Sequence, residues 1–340
     1  MFKPLLLATA ALLFATPFAA QAKSDFAPIS AEAQVAAMQR GVNIIGYDPY
    51  WRDGGQGNYK DQHFKAIHDA GFSTVRVVLF TFSHLQADGT LDPKWLAKLD
   101  WVVDEALKYK LNVIIDEHDF EDCSKDKDAC LARLKTVWAQ LSARYADRPN
   151  AVMFELLNEP HDALNGAPWN AMIPELLAIV RKDNPERNVV VGPTHWNSPH
   201  DLKDLVLPDA DRHLIVTVHY YDPFRFTHQG ASWAPPAITA GHDIPFGAPE
   251  EIAQISKDFD AVADWGKANH RPILLGEFGA YDKAPMDSRV VWTNAVARAA
   301  EAHGFAWAYW QFSSDFILYD FMTQSFVKPI LNALVPESKE

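Results

Sequence analysis

Val152-Met153-Phe154-Glu155-Leu156-Leu157-Asn158-Glu159-Pro160 is a short apolar run that stops at Asn-Glu-Pro. Proline has no N–H to give a sheet ladder, so the strand ends there and leaves Asn158 and Glu159 at its carboxyl tip. In parallel α/β folds that edge is where chemistry is placed. Arg271-Pro272-Ile273-Leu274-Leu275-Gly276-Glu277-Phe278-Gly279 repeats the pattern far downstream, an apolar run ending on a glutamate between glycines. Working outward from these two, the spacing predicts strands over 41–47, 73–79, 111–117, 151–157, 188–192, 213–219, 272–277 and 305–311. Most are near-continuous in Val, Ile and Leu, as strands covered on both faces are.

Amphipathic segments fill the intervals. Asp92-Pro93 reads as an N-cap followed by proline at the first helical position, opening a helix over 94–108. Leu131, Leu134, Val137, Trp138 and Leu141 recur at helical spacing within 129–145, and 249–269 and 288–303 are comparable. Pro174 is read as marking the first turn of a helix in 169–182. Eight strands alternating with helices make an α/β fold, a (β/α)8 TIM barrel, as a single domain over 23–340. A doubly wound sheet would carry a glycine-rich phosphate loop after an early strand, and the sequence has none. The stretch 221–250, with Trp233, Pro235, Pro236, Gly241 and Pro245 and no clear period, follows the sixth strand and should overhang the carboxyl face.

Residues 1–22 stand apart. Lys3, the apolar run 5–14 broken only by Thr9, then Pro17 and Ala20-Gln21-Ala22 fit an export signal cleaved after Ala22. The run is short for a membrane anchor. The expected location is periplasmic or extracellular, with no membrane attachment after cleavage. Cys123 and Cys130, the only cysteines, sit close together in a polar segment, and an oxidising compartment makes a loop disulfide the expected state. A zinc site would need a second pair of cysteines and softer neighbours. The net charge of −13 argues against nucleic acid as a partner and against a polyanionic substrate, while a neutral polymer is indifferent to it.

If the barrel closes, the residues at the strand ends meet in one cavity: Arg76, Asp116 and His118, Asn158 and Glu159, His219 and Tyr221, Glu277, and Trp310. Singly, each has a plain structural reading. An arginine in an apolar strand needs a carboxylate partner, a histidine at a strand end is more often structural than catalytic, and a tryptophan is more often core. Together, two glutamates on separate strand tips fit retaining glycoside hydrolysis, with one carboxyl as acid and the other as nucleophile. A metal-dependent hydrolase on the same barrel is the rival from another class. It expects His-x-His after an early strand, but the first strand here runs into Tyr47-Asp48-Pro49-Tyr50. An inactive sugar-binding barrel predicts loss of one glutamate, and both are present. No metal and no cofactor are expected.

Arg76, His118, Asn158-Glu159-Pro160, His219-x-Tyr221, Gly276-Glu277-Phe278-Gly279 and Trp310, in that order, resemble glycoside hydrolase family 5 over about residues 41–312. The run His219-Tyr220-Tyr221-Asp222-Pro223-Phe224, followed by Phe226-Thr227-His228-Gln229-Gly230-Ala231-Ser232-Trp233, resembles the single-domain bacterial endoglucanases of that family. The resemblance implies a retaining endo-β-1,4-glucanase acting as a monomer on cellulose or mixed-linkage β-glucan, with Glu159 as acid/base and Glu277 as nucleophile. It implies that Asn158 holds the 2-hydroxyl of the −1 sugar, that His118 and His219 bind hydroxyls or orient the carboxylates, and that Trp310 stacks beneath that sugar. Trp196 and Trp233 resemble platforms along the cleft, and Trp51 a more distal one. The chemistry agrees: Arg76 and the Tyr221 hydroxyl are placed to keep Glu277 ionised, while Glu159 needs a raised pKa to hold its proton. One departure concerns the substrate. His118 is followed by Asp119 where many relatives carry Asn or His. This bears on the grip beyond the −1 sugar and keeps β-1,4-mannan, or both polymers, as the alternative.

Overall fold

The computed structural model describes residues 25–46, 57–235 and 241–336; the proposed signal segment and Trp51 lie outside them. Eight parallel strands close in chain order into a barrel. They are β1 (Arg40–Gly46), β2 (Thr74–Leu79), β3 (Asn112–Glu117), β4 (Val152–Glu155), β5 (Val189–Val191), β6 (Leu214–His219), β7 (Ile273–Glu277) and β8 (Ala306–Tyr309). β1 closes the circle on β8, with Arg40 opposite Trp307 and Gly41 opposite Ala308. Each strand matches its predicted run, although β1 begins one residue before it, at Arg40, and β4, β5 and β8 stop two residues or one short of it. Past β4 the chain still bonds sideways, Leu156 N–H to the Val190 carbonyl and Asn158 N–H to the Glu117 carbonyl, so the Asn158-Glu159 tip stays fastened to its neighbours.

Strand alternation sorts the interior into layers. Outward residues such as Val75, Val77, Val113, Ile115, Phe154 and Val216 join the large core under the helices. Inward residues Ile114, Met153, Val190, Ile215, Leu274 and Ala306 form a second, smaller apolar cluster. Two positions further along the same strands the inward positions are Asp116, Glu155, Thr217 and Gly276, and two further still His118 and His219. The lumen thus changes from apolar to charged within one pleat, about 7 Å. A helix absent from the sequence expectations seals the apolar end. α1 (Ala31–Met38) packs Ala31, Val35 and Met38 onto that inner cluster, each side chain contributing on the order of 1–3 kcal/mol by its removal from water.

The surrounding helices are α2 (Asp61–Asp69), α3 (Pro93–Lys108), α4 (Lys127–Arg144), α5 (Ala167–Asp183), α6 (Pro249–Asn269), α7 (Met286–Ala302) and α8 (Lys328–Leu334). The Asp92 carboxylate caps α3 by accepting from Lys94 N–H at 2.9 Å. Pro174 does not mark a first turn. α5 begins at Ala167, with Pro168 in the first-turn position, and Pro174 lies inside the helix. Burial of Trp169, Met172, Ile173, Leu176, Leu177 and Val180 carries the helix through the missing N–H. Between β5 and β6 the crossover is a 3-10 turn, Pro199–Asp204, rather than an α-helix. The Cys123–Cys130 disulfide ties the helical turn Phe120–Cys123 to the first turn of α4. After β6, the described part of the expected irregular stretch includes a helical turn, Phe224–Thr227, before α6. A two-stranded ribbon, β9 (Tyr319–Asp320) with β10 (Ser325–Phe326), precedes α8. No described helix is long and apolar enough to cross a membrane.

Candidate active site

Arg76 stands at the centre of the charged layer, fully buried. Its five N–H groups all have acceptors. Nε and Nη2 form a fork with Glu155 at 2.7 and 2.9 Å, Nη1 reaches Asn43 Oδ1 at 2.9 Å and Glu277 Oε1 at 2.7 Å, and Nη2 also reaches Asn158 Oδ1 at 2.8 Å. Asp116 Oδ2 lies 3.1 Å from Nη2. One cation therefore serves three carboxylates, and burial pushes Asp116, Glu155 and Glu277 all upward, Asp116 to about 7. Asn43, on β1, braces the hub from the far side by donating to the carbonyls of Gly276, Ala308 and Tyr309.

The two strand-tip glutamates meet above this hub but in different company. Glu277 accepts from Arg76 on one oxygen and from the Tyr221 hydroxyl, at 2.8 Å, on the other. Burial raises its pKa, opposed by Arg76, His118 and the Tyr221 hydrogen bond. Glu159, which adopts a left-handed backbone conformation at φ 42, has no such cation in contact among the described residues. Its Oε1 pairs with His219 Nδ1 at 2.7 Å, and its own carbonyl accepts from His161 Nδ1 at 2.8 Å. Burial, and then the Glu277 charge, drives Glu159 well above the usual carboxylate range. His219 is held neutral, far below its ordinary value, by burial and by the nearby Arg76 and His118. Of the pair, Glu159 therefore holds its proton the more tightly, and Glu277 is the first to carry the negative charge. Gly276 must be glycine. A Cβ there would overlap Thr217 Oγ1 and crowd His219 Nε2 at 3.1 Å.

His118 completes the floor. Because Arg76 can only donate, Asn158 Oδ1 must face it, which turns Asn158 Nδ2 toward His118 Nε2 at 3.3 Å. Nε2 is then the acceptor, and Nδ1 carries the proton that bonds Asp116 Oδ2 at 2.7 Å. Burial lowers His118 to about 4, so the ring is neutral. The Trp310 indole lies parallel to it, centroids 5.7 Å apart. Trp196 is 47% exposed and stacks on the His161 ring at 4.6 Å, while Trp233, 55% exposed, meets the edge of Tyr281 at 4.8 Å. Trp196 and Trp233 thus offer open aromatic faces above the carboxyl edge, from the loops after β5 and β6. Asp119 is engaged elsewhere: its Oδ2 accepts from Phe82 N–H at 2.7 Å in the loop after β2.

Glu159, His219 and Glu277 each bring one donor atom within 4.8 Å of the others, a spacing a metal ion could bridge. The surroundings do not favour one. Arg76 already occupies Glu277, and the His219 and Glu159 atoms are bonded to one another. What the cluster does offer is a carboxyl that holds its proton tightly close to one braced by Arg76 and the Tyr221 hydroxyl, with oxygens within 4.8 Å, beside neutral imidazoles, an amide and an indole face. Glu155, Asn43, His161 and Asn197 belong to this site and were not singled out from sequence. For Glu155 a signal existed, since Arg76 required buried partners and Glu155 interrupts an otherwise apolar strand.

A sequence model of the family described as Cellulase (glycosyl hydrolase family 5) matches residues 33–316. Endoglucanase H of Acetivibrio thermocellus is 31% identical over 314 residues, covering 88% of this chain and 33% of that protein. Endoglucanase 3 of Fibrobacter succinogenes is 24% identical, covering 84% of this chain and 51% of that protein. The chain therefore spans about a third and about half of these relatives. Among solved structures, the endoglucanase Cel5A of Thermotoga maritima superposes with a TM-score of 0.85 at 34% identity, over 90% of this chain and 100% of that one. The same protein in complex with mannotriose gives 0.84 at 33%, over 89% of this chain and 99% of that one. The chain belongs to the cellulase family, glycosyl hydrolase family 5.

Proposed function

We propose that this enzyme is a retaining endo-β-1,4-glucanase that cuts cellulose or mixed-linkage β-glucan by double displacement. The observation that carries the reading is the Glu159–Glu277 pair. Oxygens of the two carboxyls lie within 4.8 Å, the close spacing of retaining rather than inverting enzymes. Glu277, braced by Arg76 and Tyr221, attacks the anomeric carbon. Glu159 gives its proton to the leaving oxygen, then takes one back from the water that releases the glycosyl group. Loss of charge on Glu277 in the covalent intermediate lowers the Glu159 pKa at the moment a base is needed. Asn158 and His118 bind hydroxyls of the −1 sugar, Trp310 supports its apolar face, and Trp196 and Trp233 extend the cleft. The names of the endoglucanase relatives support the glucan assignment. The mannotriose complex of the Thermotoga enzyme supports mannan as a second substrate. All of the groups come from one chain, so a monomer suffices. Export with cleavage after Ala22 accords with the Cys123–Cys130 disulfide and is checked by the amino-terminal sequence of the secreted protein.

The test is reducing-end release and product analysis on β-glucan, carboxymethyl cellulose and mannan. Glu159→Gln and Glu277→Gln run beside the unaltered enzyme, with and without a chelator. Internal cleavage of β-glucan that the chelator leaves intact is expected, with both variants reduced on the order of a thousandfold or more. A faster rate on mannan keeps the mechanism and changes the substrate. Near-normal activity in either variant overturns the reading.

A further inference from the structure

His219 makes two ring hydrogen bonds, to Glu159 Oε1 through Nδ1 and to Asn197 Nδ2 through Nε2 at 3.2 Å. An amide nitrogen only donates. With the amide in this orientation Nε2 is an acceptor and Nδ1 carries the ring proton. The loop after β5 is shaped around this contact. His195, Trp196 and Asn197 are three successive residues in the left-handed region, φ 52, 59 and 56. That region is unfavourable for a side chain bearing a Cβ, so surrounding structure must hold them there. Asn197 is fully buried, and its Oδ1 has no hydrogen-bond partner among the described residues, so the polar role of the amide falls on Nδ2. Gly192, just upstream, leaves the room: a Cβ there would overlap Asn197 Oδ1.

We propose that Asn197 is a positioning residue that fixes the Nδ1–H tautomer of His219 and thereby reserves the catalytic proton of Glu159 for Oε2, the oxygen His219 does not occupy. The inference rests on Glu159 being the acid/base. In the first step the Glu159 Oε2–H bond breaks and the proton joins the glycosidic oxygen. That oxygen keeps the electron pair of its broken bond to C1, while a Glu277 oxygen forms the new bond to C1. In the second step the water oxygen bonds C1, its proton passes to Glu159 Oε2, and the Glu277–C1 bond breaks. With the opposite tautomer, bare Nδ1 would draw the Glu159 proton onto Oε1, toward the ring and away from the substrate. The charged and titratable groups facing this pair are Glu277, whose Oε2 is 3.6 Å from His219 Nδ1, together with Arg76, Asp116, His118, Tyr221 and Glu121. Asn197 is the neutral contact among them that acts on Nε2.

Asn197→Asp and Asn197→Gly both suit a left-handed backbone, and thermal unfolding identifies which of them stays folded. Each is assayed beside Glu159→Ala on β-glucan and on 2,4-dinitrophenyl β-cellobioside, whose phenolate leaves without a proton. The carboxylate introduced by Asn197→Asp demands a proton on Nε2, so His219 becomes either an imidazolium or the wrong tautomer. Expected is a fall of about 10- to 100-fold in kcat/KM on β-glucan, with the dinitrophenyl substrate within about threefold. The alkaline limb of the β-glucan profile should also move about one unit toward lower pH, because an adjacent cation favours ionised Glu159. Asn197→Gly frees both tautomers and should give a smaller loss with the same substrate contrast. Equal losses on both substrates with an unshifted profile overturn the proposal, as does unaltered kinetics. If Glu159→Ala separates the two substrates and the Asn197 variants do not, only the role of Asn197 falls. If Glu159→Ala retains β-glucan hydrolysis, the acid/base reading falls and takes this inference with it.

Discussion

Arg76 is surrounded by more negative charge than it can neutralise. Asp116, Glu155 and Glu277 all contact it in a dry layer of the barrel. Its role is best measured by what its absence leaves behind. Arg76→Met strips the cation from three buried carboxyls and the hydrogen bonds from Glu155, Glu277, Asn43 and Asn158, and the carboxyls can then remain buried only by taking up protons. The expected loss of stability is about 3–5 kcal/mol, the magnitude seen when one partner of a buried ion pair is removed. That loss should be larger at pH 8 than at pH 5, since more protons must be held against a higher pH. Arg76→Lys restores the charge but not the planar fork that engages Glu155 and Asn158 at once, so it should recover part of the stability and little of the activity. Denaturant unfolding of both variants at the two pH values checks this. An Arg76→Met protein as stable as its parent would mean that the carboxyls are already protonated and the hub is not ionic.

At the scale of elements, the loop after β3 shows how the rim is held. The disulfide closes only a short ring, Cys123 to Cys130, so its entropic worth is modest. The chain-entropy estimate for a ring of that size is about 2.5 kcal/mol as an upper figure. Its local consequence is larger. The turn it clamps carries Phe120, whose ring meets both His118 and His161 at 5.1 and 5.6 Å, and the Ser124 carbonyl, which accepts from Ala163 in the loop after β4. Replacing both cysteines by alanine should therefore lower Tm by a few degrees, raise KM on polymeric substrate severalfold and leave kcat within about twofold. Steady-state kinetics with and without reductant on the parent enzyme should show the same split. A fall in kcat alone would contradict it. Elements of this kind also show what sequence could reveal. The eight strands were legible because burial on both faces writes continuous Val, Ile and Leu runs, and Asp92 and Pro93 announced α3 correctly. α1 was not anticipated, because the face of a plug is recognisable only once the barrel end it fills exists. Pro174 misled because tertiary packing of α5 outweighs one missing N–H. Asn43 and Asn197 meet their partners across separations that leave no local pattern, whereas Glu155 was signalled by its charge in an otherwise apolar strand.

For the molecule as a whole, the charged lumen sets how stability depends on pH. Burial raises Asp116, Glu155, Glu159, Glu277 and Glu117 above the values they take in the unfolded chain. Between the unfolded and folded values the native state binds more protons than the unfolded one, so stability is complete below the lower value and is lost as pH rises through the higher one. For Asp116 that window runs from 3.8 to about 7. Each proton held in excess weakens the fold by about 1.4 kcal/mol per pH unit across its window. Surface carboxylates act oppositely but lower on the scale. Asp61, drawn down to about 2 by Glu105, Lys108 and Tyr109, contributes stability that is lost only as pH falls below the ordinary carboxylate range. The two trends leave a maximum on the mildly acidic side, and calorimetry should find Tm falling from about pH 5 to pH 8. The net charge of −13 also becomes more repulsive over that interval, so the two causes must be separated. Salt at 0.5 M screens exposed charges beyond about 4 Å and barely reaches the lumen. Asp116→Asn removes one buried titration and leaves the surface unchanged. The lumen account expects the slope to survive 0.5 M salt and to flatten in Asp116→Asn. A slope abolished by salt and untouched by Asp116→Asn would assign it to the surface and overturn the proton count argued for the barrel.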